Sequence, residues 1–210
     1  MKVKPTKIIA AIAAFALVGC QTPGSQVAKQ SREQLVTAAV CCKTIAEAKV
    51  RPVPQNANLE LNATSQAFIF EDGKAFFEMF RLPHYTVPYS ILIGSVTGGT
   101  RGDRSVMALR VTLLDENFQP TRHFDESTLR QRGEVLERTV FINPDDRAER
   151  YLVLYGSPIE KSSSDTAGAV QTIQSGMLIF YVGTESTRAL HHSPTGRYFL
   201  RVDGLQLAQK

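Results

Sequence analysis

Three cysteines, four histidines and many serines and acids are the residues of this 210-residue chain that could do chemistry. Cys20 closes the run Leu17-Val18-Gly19-Cys20, where an aliphatic residue and then a small one precede a thiol. Cys41 and Cys42 are adjacent. Their Cα atoms are then about 3.8 Å apart across a trans peptide, below the usual disulfide range of about 4.4–6.8 Å. The spacing therefore favours two small buried apolar side chains over a vicinal Cys41–Cys42 disulfide, which stays the alternative. No second Cys or His group has ligand spacing, so a metal site is not expected. His191-His192 precede Pro194 and Gly196 in an expected turn, without an HxxxH or HExxH pattern. His84 and His123 stand alone. There is no GxSxG elbow, and Gly94 to Gly99 lack the Lys-Ser/Thr that a phosphate loop needs. Arg101-Gly102-Asp103 is expected to be a solvated turn. Asp115, Asp145 and Asp146 sit at turns, where Asp caps backbone donors, and no EF-hand spacing surrounds them. The expectation is no catalytic residue, no cofactor and no enzyme activity.

The chemistry that remains is that of Cys20. Lys2, Lys4 and Lys7 form a basic start, and Ile8 to Val18 is an unbroken apolar run. At 1.5 Å per residue the run makes roughly 17 Å of helix, against the ~30 Å hydrocarbon core of a bilayer. It reads as a signal peptide, residues 1–19, rather than a span. Leu17 to Cys20 resembles the bacterial lipobox, which implies cleavage between Gly19 and Cys20, thioether attachment of a diacylglyceryl group and acylation (palmitate) of the new amine. One acyl chain holds a protein only marginally, whereas several on one residue make a durable anchor. Gln21 is not the Asp that favours inner-membrane retention in such lipoproteins. The expected location is the periplasmic face of the outer membrane.

Processing removes the apparent basicity. The chain has 24 Lys and Arg against 20 Asp and Glu, and losing Lys2, Lys4 and Lys7 leaves 21 against 20, a net +1. The charges are interleaved, without the basic footprint of a nucleic-acid binder. The remaining 191 residues suit one domain. The chain has no Trp, so any sugar stacking falls to its 6 Tyr and 11 Phe.

The elements follow from the pattern. Residues 20–31 are polar with Pro and Gly and read as a lipidated flexible tether. Ser31-Arg32-Glu33-Gln34 resembles a capping box. Leu35, Ala38, Ala39, Cys42, Ile45 and Ala46 recur at helical spacing, predicting an amphipathic helix over 32–50. From residue 51 to 210 the period changes. Phe68–Phe70 and Ala75–Phe80 flank an Asp72-Gly73 turn as a hairpin. Further strands are expected at 89–96, 107–114, 135–142, 150–155, 176–182 and 198–202, with Ser162 to Asp165 a polar loop. Whether Phe124 to Gly133 forms a short helix stays open. Short strands, frequent turns and one leading helix predict a mainly β chain. The expected fold is an antiparallel sandwich, jelly-roll or immunoglobulin-like.

Val111-Thr112-Leu113-Leu114-Asp115-Glu116-Asn117-Phe118-Gln119-Pro120 and Arg150 to Lys161 (RYLVLYGSPIEK) resemble segments of the maltose-operon periplasmic protein (MalM-like) family. His191 to Val202 and the Cys41-Cys42 segment are similar in the same way. The resemblance implies a non-enzymatic envelope protein with a β-sandwich, associated with maltose and maltodextrin transport. The implied partners are an envelope transport protein or maltodextrin itself. The chain departs from that family in its lipidation and in lacking a C-terminal extension. The competing expectation is a structural or assembly lipoprotein that binds another outer-membrane protein and no sugar. Cys20→Ala is expected to leave the fold intact and move the protein out of the membrane fraction. Fractionation of cells expressing the variant checks this, and continued sedimentation with membranes would refute the anchor.

Overall fold

The computed structural model describes residues 22–83, 87–100, 102–143, 148–175 and 178–204. Gly19, Cys20, His84, Tyr85, Arg101, Asp145 and Asp146 lie outside them. A helix, α1 (Gly24–Thr37), leads. The strands that follow are β1 (Val50–Pro52), β2 (Asn56–Leu61), β3 (Gln66–Phe70), β4 (Gly73–Arg81), β5 (Tyr89–Val96), β6 (Gly98–Gly99), β7 (Asp103–Met107) and β8 (Leu109–Leu114). Then come β9 (Pro120–Phe124), β10 (Arg130–Arg132), β11 (Val135–Ile142), β12 (Tyr151–Gly156), β13 (Ser162–Ser175), β14 (Leu178–Ser193) and β15 (Gly196–Asp203).

The described residues form a mainly antiparallel β-sandwich with one α-helix. The first sheet runs β1-β4-β12-β8-β9, with β3 on the same edge of β4 as β1; the second runs β10-β11-β5-β15-β2. A third, β13-β14-β7-β6, is joined by the only parallel strand pair besides β1–β4 among the described residues, β14 with β7. Alternation sorts each strand between faces. Phe76, Phe80, Leu109, Val111, Leu113, Leu152 and Leu154 of the first sheet meet Ile91, Ile93, Val140, Ile142, Tyr198 and Leu200 of the second in the main core. The opposite face of the first sheet is apolar too: Phe77, Met79, Leu114, Val153 and Tyr155 form a second cluster, covered by Cys42, Ile45, Ala48 and Val50. A sheet buried on both sides needs continuous apolar strands, which accounts for the near-unbroken hydrophobicity of β8 and β12. Gly94, inside β5, is required by its partner: Phe199 lies opposite it, and a Cβ there would collide with the ring.

Several expectations change. The helix covers 24–37, not 32–50. Its buried residues Gly24, Ala28, Ser31 and Leu35 repeat every three or four positions, so the stretch read as tether carries the apolar face. Ser31 is no cap; its hydroxyl lies 2.6 Å from that of Thr195. The helix stops because Lys74 donates to the carbonyls of Val36 (3.0 Å) and Ala38, and Val40 and Cys41 pair with Ala67 of β3. Tertiary strand pairing there overrides a periodicity that β-branched and Cys residues support weakly. Cys41 and Cys42 consequently sit on extended chain, Cys41 exposed, Cys42 half-buried, their sulfurs bonded to each other. Ser162–Asp165 is strand, not loop, and His191-His192 end β14 rather than forming a turn. The open segment 124–133 contains a short 3₁₀ turn, Glu126–Thr128, capped by Asp125.

One buried ion pair closes the sandwich's open side. Glu149, fully buried, accepts from Arg122 Nε at 2.7 Å and Nη2 at 2.8 Å, and from Thr121 Oγ1 at 3.3 Å. Arg122 is partly exposed, so losing the carboxylate costs the scale of a charge-assisted hydrogen bond, about 1.5–3 kcal/mol, rather than that of a fully buried charge. Glu149→Gln is expected to lower the unfolding free energy by that amount, read by circular dichroism as a lower urea midpoint at unchanged m-value.

Candidate functional site

Strand β8 turns Arg110 and Thr112 away from the main core, toward the second apolar layer. Arg110, 6% exposed, is held on two sides by Asp72 and by Glu126, its Nε lying 2.7 Å from Glu126 Oε2. Lys161 donates to the other Glu126 oxygen at 2.7 Å. Burial alone would raise the Glu126 pKa, but hydrogen bonds from Arg110 and Lys161 outweigh it and bring it down to about 2. Beside this ladder Thr112 Oγ1 lies 3.0 Å from His123 Nδ1, a contact that ties β9 to β8. Burial, then the Arg110 charge, lowers the His123 pKa. Phe70 and Tyr155 stack parallel at 4.1 Å next to it, and burial raises the Tyr155 pKa.

A groove opens where the edges of the two sheets approach each other, with a cavity of about 390 Å³. Its floor is Phe124 of β9, whose ring carries two guanidinium groups: Arg138 at 5.1 Å and Arg122 at 5.6 Å from the centroid. Arg138 is 6% exposed and donates through Nη2 to Asp125 O and Thr128 Oγ1. Its Nε and Nη1 find no hydrogen-bond partner among the described residues, and burial lowers its pKa. The aromatic face below it compensates part of that cost. Arg122 Nη2 bridges the two sheets by donating to Phe141 O at 2.7 Å. Around the groove stand Arg130, Arg132, Glu137, Thr139 and the ring of Phe141, 69% exposed. β10 pairs with Val135–Glu137, and farther along the outer edge of β11 the carbonyl of Phe141 is taken by Arg122. An open ring face flanked by planar fork donors can hold a flat apolar patch bordered by hydroxyls or a carboxylate.

Of the residues singled out in the sequence, Gly19 and Cys20 lie outside the described region. Cys41 and Cys42 border the second apolar layer, away from the groove. Asp103 is a structural cap: it accepts from Ser25 N at 2.9 Å and from the Ser25 hydroxyl, at the start of α1. The Ser25 hydroxyl chiefly depresses its pKa. His191 Nε2 lies 3.2 Å from the same carboxylate. Asp115 accepts from the Asn117 and Gln119 amides and holds the turn after β8, where Phe118 takes φ +60°. Among the described residues no group of three His, Cys, Asp or Glu is placed to hold a metal ion, and no helix is long and apolar enough to cross a membrane. Sequence reasoning missed Arg110, Glu126, Phe124 and Arg138. The available signals were one arginine inside the apolar run MALRVTLL and the Arg-rich segment from 130 to 138.

Neither known family profiles nor curated proteins yield a match to this chain. Among solved structures it is similar to the pre-peptidase C-terminal domain of a collagenase from Bacillus anthracis. The two are 12% identical over 74% of this chain and 95% of that one, with a TM-score of 0.31. A likeness that slight leaves the fold to be read from the strand pairing itself.

The depressed Glu126 carboxyl has a pH signature. A folded pKa of about 2 against an ordinary 4.5 gives stability that is complete above 4.5 and lost as pH falls toward 2. Glu126→Gln is expected to flatten the decline of the thermal midpoint across that window, as measured by scanning calorimetry. A variant with the same acid slope as the wild type would show that the ladder contributes nothing.

Proposed function

We propose that the chain is a non-enzymatic envelope lipoprotein, anchored through Cys20 to the periplasmic face of the outer membrane, that binds carbohydrate during maltodextrin transport. The reading rests on the lipobox-like Leu17–Cys20, on the resemblance of its strands to the maltose-operon periplasmic protein family, and on the groove. The groove is the observation that carries the ligand. Sugars present a flat apolar face and a rim of hydroxyls. Phe141 offers an exposed ring, and Arg130, Arg132, Thr139 and Glu137 offer donors and acceptors around it. Tyr and Phe must do this work in a chain without Trp.

The test is isothermal titration of the detergent-solubilised lipidated protein with maltodextrins. Binding is expected, and Phe141→Ala is expected to weaken it by about 1 kcal/mol, roughly fivefold, the scale of one aromatic contact. The absence of heat at millimolar sugar would refute the carbohydrate ligand.

A further inference from the structure

The hairpin β13–β14 is the largest feature of the molecule that neither the core nor the groove uses. The two strands pair from Ser162↔His191 to Ser175↔Leu178. β14 has a second neighbour only at its end, where Ala189–Ser193 lie parallel to Asp103–Met107 of β7. Among the described residues the strand Leu178–Arg188 is therefore paired with β13 alone. At about 3.3 Å per residue that arm is roughly 36 Å long. A two-stranded ribbon in water is marginally stable by itself, so something must seat it.

Its composition and direction name the seat. Between Asp165 and Glu185 the chain has no charged residue and no histidine, and it includes the run Leu178-Ile179-Phe180-Tyr181-Val182. Ile173, Ile179 and Tyr181 are 48%, 56% and 74% exposed. They lie within three residue pairs of the last pair, Ser175↔Leu178, a depth of about 10 Å. The arm also leaves the body at the end where the chain enters it. Gly24 packs on the Arg104 backbone with no room for a Cβ, and Ser25 binds Asp103, so α1 starts beside Asp103. α1 then runs in the direction of β7 and β14, since Arg32 reaches His192 O at 2.9 Å. Thr22 and Pro23 thus lie on the side toward which the hairpin extends. Four Cα steps separate Cys20 from Gly24, at most about 14 Å of chain. An anchor at Cys20 holds the base of a ~36 Å arm within ~14 Å of the lipid surface.

We infer that the far end of the β13–β14 hairpin, with Ile179 and Tyr181 together on one face of the ribbon, seats in the interfacial layer of the bilayer to which Cys20 is anchored. The inference rests on the lipoprotein reading above. Depth is limited by the backbone. Both edges of a two-stranded ribbon carry unpaired N–H and C=O groups, which the hydrocarbon core does not tolerate. The far end therefore stays at headgroup level, where Tyr is favoured and apolar side chains dip about 5–10 Å, with the arm inclined along the surface. Anchor and hairpin together make two attachments and fix the orientation of the sandwich.

The experiment places an environment-sensitive fluorophore on Tyr181→Cys in the full lipidated chain, reconstituted into phosphatidylethanolamine–phosphatidylglycerol vesicles. The control label is on Glu116→Cys, in the turn after β8 at the far end of the run that begins at Asp103. The Tyr181 label is expected to shift to the blue and to be quenched more by headgroup nitroxides than by mid-chain ones, with the Glu116 label unchanged. Ile179→Glu in the labelled chain is expected to abolish the shift while the protein still floats with vesicles. Protein that floats while the Tyr181 label emits as in water, or is shielded by a protein partner or a second copy without lipid quenching, overturns the inference alone. Protein that fails to float removes the anchor reading and the inference with it.

Discussion

The central strands of the first sheet, β4, β12 and β8, are buried on both faces, and the rest of the molecule is arranged to satisfy that constraint. One side packs on the second sheet through Phe76, Phe80, Val111 and Leu152; the other presents Phe77, Met79, Val153 and Tyr155. A sandwich of two sheets buries one face of each. This one must also cover the outer face of the first, and the segment from Cys42 to Val50 does so. That demand draws the chain after α1 out of helical conformation and along β3, and it places the bonded Cys41 and Cys42 at the border of the second layer. Phe70 on Tyr155 and Phe118 on Tyr151 extend the cover as stacked rings where the segment does not reach.

Burying both faces also traps charge. Arg110 stands between apolar neighbours of β8, so its guanidinium must be met inside, and Asp72 and Glu126 meet it. At the open side of the sandwich Arg122 and Arg138 do related work by different chemistry: one neutralised by Glu149, the other laid on the Phe124 ring. All three are arginines. The guanidinium forks across two carboxylate oxygens and stacks on an aromatic face, and neither suits a lysine ammonium. The groove is a by-product of the same closure, because joining two sheet edges through side chains leaves space between them.

The helix links this body to its surroundings. Its start is capped by a carboxylate 78 residues away, its end by Lys74 of β4, and its middle by Thr195 and His192. A helix held at so many points is a rigid part of the sandwich, and the stretch between it and Cys20 is short. The long hairpin shares the end of the molecule at which the helix begins.

Several features were legible in the residues alone. The Asp72-Gly73 hairpin, the strands expected at 89–96, 107–114, 135–142 and 198–202 (observed as Tyr89–Val96, Leu109–Leu114, Val135–Ile142 and Gly196–Asp203), and the mainly β class followed from local pattern and turn chemistry. What sequence could not place depended on contacts distant in the chain. The stripe Leu35 to Ala46 has helical spacing, yet Ala67 and Lys74 decide that the helix ends at Thr37. Thr22 to Gln30 looks like a spacer, yet Asp103 and the backbone of Arg104 make most of it helix. β2, β9 and the groove stayed hidden because their residues are mixed in polarity, and only the facing sheet edges bring Phe124, Arg138 and Phe141 together. Local composition determined which segments extend and where the chain turns, since those follow from neighbouring side chains. The helix boundaries, the partners of the buried charges and the shared side of the helix start and the hairpin were decided by tertiary structure, because each is set by residues tens of positions away.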